Sequence, residues 1–252
     1  MEKKIKSVER TLLDRRSIRR YEREIIAEED MAFIYEAIRN TPTSYNGQQF
    51  CVIDVVSQEK KELLYNIIGQ KQIKTCNHFL VFCMDYNKIS KLAESKGVEM
   101  PAFTDTMDGV TVGIIDASLA MMSAMVAAES RGLGTNAIGY ARTANPSAVS
   151  EVLNLPKGVF VVCGLAVGVP REMPDIKPKM PLSAIIHTDS YRDAGLTETL
   201  GKYDEQIKAF NATREGTKTD NDWLNHILGY YREACRYEIL NALKEQGFNV
   251  KK

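Results

Sequence analysis

The sequence is poor in the residues that build metal centres and disulfide frameworks. Its 252 residues include three histidines, which lie far apart, and five cysteines, which are odd in number and form no Cys-x-x-Cys pair. Because no spacing typical of zinc ligands is present, we expect no metal site. Scattered thiols fit a reducing compartment better than a disulfide scaffold, which favours a cytoplasmic protein.

A net charge is also missing. Lys and Arg together number 33, as do Asp and Glu, so no overall field favours DNA, RNA or an anionic membrane. Residues 1–5 lead into mixed charged sequence without a secretory pattern. The most apolar stretch, 110–128, is interrupted by Asp116, Ser118 and Ser123, which predicts a helix buried in protein rather than lipid. We expect neither a nucleic-acid nor a membrane partner.

Recognisable catalytic motifs are absent as well. No Gly-x-Ser-x-Gly turn occurs, and Gly132-Leu133-Gly134 lacks the spacing of a dinucleotide fingerprint and follows a predicted helix instead of a strand. A lack of obvious acid–base machinery is informative when a cofactor carries the chemistry.

The apolar periodicity predicts an α+β fold with strands interleaved among helices. At this length we expect one domain, 1–252, with a mobile insertion or short helices at about 87–109 and a C-terminal helical arm at about 200–252. Residues 170–181 carry four prolines and should form an extended loop. The predicted helices are 7–20, 28–40, 59–68, 110–131, 147–153 and 220–246, and the predicted strands are 50–56, 79–84, 135–140 and 158–169.

An arginine cluster, Arg15–Arg20 (RRSIRR), is the sharpest local feature. Within a helix, Arg15/Arg19 and Arg16/Arg20 would be like-charge i,i+4 pairs, which oppose the helix by roughly a few tenths of a kcal/mol each. A bound anion would reverse that effect, because arginine forks match phosphate oxygens bidentately. The cluster indicates a phosphate site, a solvated basic patch, or a surface for a nucleic-acid or acidic partner.

Two other segments concentrate polar groups. The loop 41–49 carries hydroxyls and amides that suit the polar edge of a heterocycle or a ribityl chain, although such a segment taken alone is more often simply a turn. Lys177-Pro178-Lys179 lies in the proline-rich stretch, where prolines reduce the entropy of holding two cations in place. Those cations would serve a redox centre, or the segment is simply a surface loop.

Together these segments resemble the nitroreductase superfamily, in its NADPH-preferring, oxygen-insensitive nitro/flavin reductase branch, over nearly the whole chain. The arginine cluster is similar to that family's phosphate motif, His/Arg-Arg-Ser-x-Arg, and the loop Thr41–Gln48 is similar to its FMN loop. The other matching segments are Gly69-Gln70-Lys71, Gly132–Arg142, Gly164–Pro181, Asp204-Glu205-Gln206, Arg236 and 245–247.

The resemblance implies a nitroreductase-like fold, with a central mixed sheet flanked by helices, in a domain-swapped homodimer with FMN at the interface. It implies roles for residues of every motif. Arg15, Arg16, Ser17 and Arg19 would bind the FMN phosphate and ribityl chain. The flavin loop would comprise Thr43, Ser44 and Asn46. The remaining implied contacts are Gln70 on the flavin's polar edge, Ile138 and Gly139 on the ring, Lys177 and Lys179 on the pyrimidine and phosphate, and Arg214 and Arg236 on the NADPH phosphates.

Three positions depart from the family's pattern. Lys179 stands where the branch usually has Arg, which keeps the charge but loses the bidentate fork. Arg15 replaces a histidine found in some members. Tyr140 stands where a second glycine is common, so backbone packing over the flavin should differ.

The implied activity is an FMN-dependent oxidoreductase. It would transfer hydride from NADPH, or from NADH, through the flavin to nitro compounds, quinones or free flavin by a ping-pong mechanism, with no catalytic side chain of its own. The alternative is a non-enzymatic binding protein that uses Arg15–Arg20 for a nucleic-acid or acidic partner. Flavin absorbance of the purified protein would distinguish the two hypotheses.

Overall fold

The computed structural model describes residues 5–250. Residues 1–4, on which the expectation of no secretory signal partly rests, and residues 251–252 lie outside the described range. The chain divides into two compact units. The first comprises the described residues up to Met173 and from Glu238 onward, and the second is Pro174–Tyr237. The predicted single domain with an arm and a mobile insertion stays a prediction.

Helices and strands alternate through the first unit, and the second unit is helical. The strands are β1 Phe50–Val55, β2 His78–Asp85, β3 Gly134–Ile138 and β4 Val159–Gly168. The helices of the first unit are α1 Val8–Leu13, α2 Glu28–Arg39, α3 Gln58–Ile68, α4 Gln72–Thr75, α5 Asn87–Ser95, α6 Met107–Ser130, α7 Tyr140–Thr143, α8 Pro146–Val152 and α11 Ile239–Glu245. The second unit contains α9 Leu196–Thr213, α10 Trp223–Ala234 and a short 3-10 turn at Leu182–Ala184. Two further 3-10 turns, Ser44–Asn46 and Phe103–Asp105, lie in the first unit.

The four strands form one sheet in the order β1-β2-β4-β3, and every neighbouring pair is antiparallel. The parallel pairing expected of a mixed sheet is found in an isolated bridge between Ser17 and Thr135. β4 lies inside the sheet, as its near-continuous apolar run predicts for a strand covered on both faces.

Alternation along β2 divides the core into two layers, one on each face of the sheet. Leu80, Phe82 and Met84 belong to the layer that also contains residues of α2 and α6, whereas Phe79 and Val81 belong to the opposite layer. Helices α3, α7 and α8 cover the second face. The sheet is therefore buried on both sides, and its edges and strand ends remain for binding.

The C-terminal residues complete the first layer. Phe248 is fully buried and Ala242 is 6% exposed, and both belong to the cluster that contains Phe82 and Phe160. The Gly158 amide donates to the Gln246 carbonyl at 2.7 Å, which fixes this tail to the start of β4.

The prediction of one helix over 7–20 is wrong beyond Leu13. Helix α1 ends there, and residues 14–23 contain no helix but form isolated β-bridges at Ser17 and Tyr21. The apolar side chains of α1 are not buried, since Val8 is 68% exposed and Leu13 is 71% exposed. Ile18 and Tyr21 are buried instead, so contacts with the sheet outweigh the local helical pattern. The like-charge helical pairs among the arginines consequently do not exist.

The prediction of one helix over 220–246 is also wrong. Helix α10 ends at Ala234 and α11 begins at Ile239, with turns between them. The boundary between the two units falls after Tyr237, so α10 belongs to the second unit and α11 belongs to the first. Within the second unit, Tyr203 of α9 packs edge-on against Trp223 of α10 at 5.7 Å between ring centroids.

Among the described residues, one helix is long and apolar enough to cross a membrane by length and composition. It is α6, and half of its most apolar window is buried inside the protein. Ala117, Ala120 and Ala124 on one side belong to the core, whereas Ile115, Leu119 and Met122 on another side are 45%, 42% and 41% exposed. The helix is the central packing element of its layer and also presents an apolar face outward.

Candidate functional site

The arginine cluster lies along the sheet as an extended segment. The Ile18 amide donates to the Thr135 carbonyl at 2.9 Å, and the Glu22 amide donates to the Val169 carbonyl at 2.9 Å. The Tyr21 hydroxyl donates to the Ile18 carbonyl at 2.6 Å. Ile18 and Tyr21 thus hold the backbone, while the side chain of Arg19 between them is exposed.

Arg15 is engaged by a buried carboxylate from the end of α6. Its Nη1 lies 3.5 Å from Oε1 of Glu129, and Glu129 also accepts a hydrogen bond from the Thr135 hydroxyl. Burial raises the pKa of Glu129, while Thr135 and Arg15 act in the opposite direction. A carboxylate in this position fixes Arg15 and removes part of the positive charge that the bare sequence suggests.

A cavity of about 520 Å³ brings two of the predicted motifs together. Its lining includes Arg19 from the arginine cluster and Gln70 from the Gly-Gln-Lys turn, together with Lys71 and Arg171. Gly69, which ends α3, adopts the left-handed conformation at φ 75°, and this conformation lets the chain turn sharply into Gln70. The cavity combines cationic groups with an amide, which suits an anionic ligand with a polar edge.

The predicted flavin loop is anchored by a residue that the sequence analysis treats only as an interruption of a helix. Asp116 of α6 is fully buried. Its Oδ1 accepts from the Ser44 amide at 2.9 Å, and its Oδ2 accepts from the Gln49 amide at 3.2 Å. Both ends of the loop are therefore held by one carboxylate.

Between these two anchors the loop is conformationally strained. Tyr45, Asn46 and Gln48 have φ values of 60°, 53° and 52°, in the left-handed region that side chains other than glycine rarely adopt. All three are exposed, whereas Thr43 is half-buried, and its hydroxyl accepts from the Gln48 amide at 3.2 Å. Strain held by a buried anchor is common in ligand-binding loops.

The two residues predicted to pack on a flavin ring differ in accessibility. The Ile138 side chain is 3% exposed and belongs to the core, so it faces away from the surface. Gly139 is exposed, and a Cβ built on it meets nothing within 4 Å. The open surface at the end of β3 is formed at Gly139, and the flavin contact expected of Ile138 and Gly139 stays a prediction.

In the second unit, a smaller cavity of about 230 Å³ brings together Lys177, Lys179 and Arg214. Trp223 and His226 also line it. The Tyr203 hydroxyl donates to the Pro178 carbonyl at 3.4 Å. Asp204 of α9 accepts from the amide of Leu224, in the first turn of α10, at 2.8 Å. Three of the four basic residues predicted in this unit share one recess.

Arg236 is not among the residues that line this recess. It lies in the turn after α10, where its amide donates to the Glu233 carbonyl at 3.0 Å. Glu129 and Asp116 could not be predicted as site residues, because a buried acidic residue in an apolar helix carries no local signature of its partner.

Comparison with known proteins gives one family. The model described as "Nitroreductase family" matches residues 12–169, and the one described as "Nitroreductase family, C-terminal domain" matches residues 177–251. A Bacillus subtilis protein named FMN reductase (NAD(P)H) is 37% identical over 245 residues, which cover 96% of this chain and 98% of that protein. An oxygen-insensitive NADPH nitroreductase of Salmonella typhimurium is 30% identical over 238 residues, covering 94% and 96%.

Solved structures give the same result. The structure of the hypothetical oxidoreductase YcnD from Bacillus subtilis matches with a TM-score of 0.93 at 37% identity, covering 97% of this chain and 99% of that chain. NADPH:FMN oxidoreductase from Vibrio harveyi complexed with NAD+ matches with a TM-score of 0.86 at 26% identity, covering 97% and 99%.

Proposed function

Because the chain belongs to the nitroreductase family, we propose that it reduces nitro compounds, quinones or free flavin with electrons from NADPH, through bound FMN and in ping-pong order. It is an NAD(P)H-dependent flavin oxidoreductase, and FMN and NADPH are its cofactors. NADH remains an alternative donor.

The observation that carries the proposal is the 520 Å³ cavity, in which Arg19 and Gln70 from two separate sequence motifs meet. The donor set fits FMN. Arginine and lysine side chains suit its phosphate, and the amide of Gln70 can both donate to and accept from the polar edge of the flavin. At the end of β3, the space beside Gly139 is open, as a planar ring requires.

When bound, FMN accepts hydride from the reduced nicotinamide and delivers the electrons to the second substrate, so the protein needs no nucleophile. The chain's own residues bind and orient. Arg19 would hold the phosphate, while Glu129 would keep Arg15 in place at the same edge of the sheet. Asp116 would fix the loop that carries Thr43, Ser44 and Asn46.

The basic residues of the second unit keep their predicted roles as proposals. Lys177 would favour negative charge on the pyrimidine side of the flavin, and Arg214 would bind the nicotinamide cofactor's phosphates. Replacing Lys177 with methionine should lower the flavin reduction potential and slow its reduction by NADPH in stopped flow. Unchanged reduction kinetics would remove Lys177 from this role.

We also propose that the protein is a homodimer in the cytoplasm, with neither nucleic-acid nor membrane partners. The outward face of α6 supports the homodimer, because Ile115, Leu119 and Met122 on it are each about two-fifths exposed. An apolar face of that kind on a core helix is typical of a subunit interface. Sedimentation of the full chain tests the dimer.

The central experiment measures FMN retention. Purified protein should show flavin absorbance, and Arg19→Gln should weaken FMN binding about tenfold or more through loss of a charge-assisted contact. Arg39→Gln is the matched control, since Arg39 is an exposed arginine of the same unit that pairs with Glu36 on its own helix. A protein that gains no flavin absorbance after incubation with FMN would refute the proposal.

A further inference from the structure

A second, larger cavity lies outside the residues assigned to FMN. It has a volume of about 910 Å³, and its lining includes Arg23, Lys61, Lys74 and Arg171, with Glu22 as the one carboxylate. It shares Tyr21, Thr75 and Arg171 with the 520 Å³ cavity but contains none of the residues predicted to bind flavin. In a chain with no net charge, this is a local concentration of positive charge.

The base of this cavity holds a buried cation. Lys61 of α3 is only 5% exposed, and its Nζ donates to the Cys76 carbonyl at 2.9 Å and to the Asn77 carbonyl at 3.3 Å. Within residues 5–250, no carboxylate lies within ion-pair distance of that amino group. A buried charge is unfavourable without a counter-ion, so an anion entering the cavity would stabilise this arrangement.

The other basic side chains of this cavity differ in whether a carboxylate already lies within ion-pair distance. Lys74 lies 3.9 Å from Glu62, and Arg171 lies 3.8 Å from Glu22, both at the long end of ion-pair distance. Arg23 is exposed and makes no hydrogen bond or ion pair within the described part of the chain. A guanidinium fork and at least one ammonium group are thus available to the same ligand.

The other side chains that line this cavity, together with its volume, indicate which class of ligand fits it. His78 is held by Asp54 through Nδ1 at 2.7 Å, and Asp54 also accepts from the Tyr35 hydroxyl, so this carboxylate already has two partners. Ile25 and Val56 at the cavity are 88% and 58% exposed. The volume lies in the range of sites for organic ligands rather than single ions.

We propose that this cavity binds a small organic molecule that carries a phosphate group. Arg23 and Lys74 contact the phosphate, Lys61 supplies the buried counter-charge, and Ile25 with Val56 contacts the organic part. Arginine and lysine together favour phosphate because its oxygens accept both bidentate and single charge-assisted hydrogen bonds.

Isothermal titration calorimetry with phenyl phosphate, at constant ionic strength, tests the proposal on the full chain with and without FMN. Binding should be measurable in both forms, and inorganic phosphate should bind more weakly because it lacks the apolar part. Arg23→Gln and Lys74→Gln should each weaken phenyl phosphate binding about fivefold or more. Lys91→Gln, an exposed lysine on α5, should leave it unchanged.

Three outcomes would overturn the proposal. These are no binding of phenyl phosphate, equal weakening by the Lys91→Gln control, and loss of binding once FMN is present, which would place the phosphate in the flavin site. The flavin absorbance of the same samples reports separately on FMN binding. A protein that binds phenyl phosphate but not FMN would refute the proposed function alone.

Discussion

Removing the Asp116 carboxylate should release the loop that it anchors. The carboxylate is fully buried and accepts from the amides of Ser44 and Gln49. Hydrogen bonds to a charged group contribute about 1.5–3 kcal/mol each, and a buried amide left without an acceptor is unfavourable. Asp116→Ala should therefore lower the free energy of unfolding by about 3–6 kcal/mol. Asp116→Asn keeps one acceptor oxygen and should cost about 2 kcal/mol.

Urea unfolding of the variants gives the stability changes. Amide hydrogen exchange at Ser44 and Gln49 reports on the loop itself and should accelerate more than exchange in β4. Asp108→Asn is the control, because Asp108 is an exposed residue in the first turn of the same helix, where the helix dipole accounts for about 0.3–1 kcal/mol. If Asp116→Ala stays within that range and exchange at both amides is unchanged, the anchoring role is refuted.

Three further predictions concern residues at the sheet. Burial raises the pKa of Glu129, so its contribution to stability is full below the ordinary glutamate pKa and is lost as the pH rises through the raised value. The urea midpoint of Glu129→Gln should therefore rise relative to wild type as the pH increases above the ordinary glutamate pKa, and a constant difference would contradict this. Gly164→Ala would place a Cβ 2.4 Å from the Phe79 ring and should lower the free energy of unfolding by about 1–3 kcal/mol; an unchanged urea midpoint would count against it. Gly139→Ala should change stability by less than about 0.5 kcal/mol yet weaken FMN binding in a fluorescence titration, and equal affinity would show that the ring does not pack there.

Helices and strands whose burial follows a regular pattern in their own sequence could be predicted. The run Val159–Val167 is apolar at nearly every position, which only an inner strand of the sheet can accommodate, and β4 is that strand. The end of α3 at Gly69 was equally predictable, since a left-handed cap favours glycine. The motifs shared with the family predicted which segments along the chain bind the cofactor, and apolar periodicity alone does not predict this.

Elements that depend on distant partners could not be predicted. Residues 14–20 have a helical pattern, but the Thr135 carbonyl, which accepts from the Ile18 amide, lies more than a hundred residues further along the chain. The split between α10 and α11 likewise reflects packing in two units, and nothing in residues 235–238 marks it as strongly as Gly or Pro would.

In the candidate site, too, residues of local motifs could be predicted, whereas residues that act through distant partners could not. Arg19, Gln70 and the lysines of 177–179 belong to motifs that can be read locally, and the structure places them in cavities. Asp116 and Glu129 act on those motifs from α6, where a single acidic residue among apolar ones gives no indication of its partner.

The position of the C-terminal tail has a consequence for synthesis on the ribosome. Phe248 and Ala242 fill the same layer as Phe82 and Phe160, although the whole second unit separates them in the chain. The layer therefore stays unfilled in the nascent protein until residues 242–248 have left the exit tunnel. A chain truncated before residue 242 should be more open to proteases than one that contains these residues.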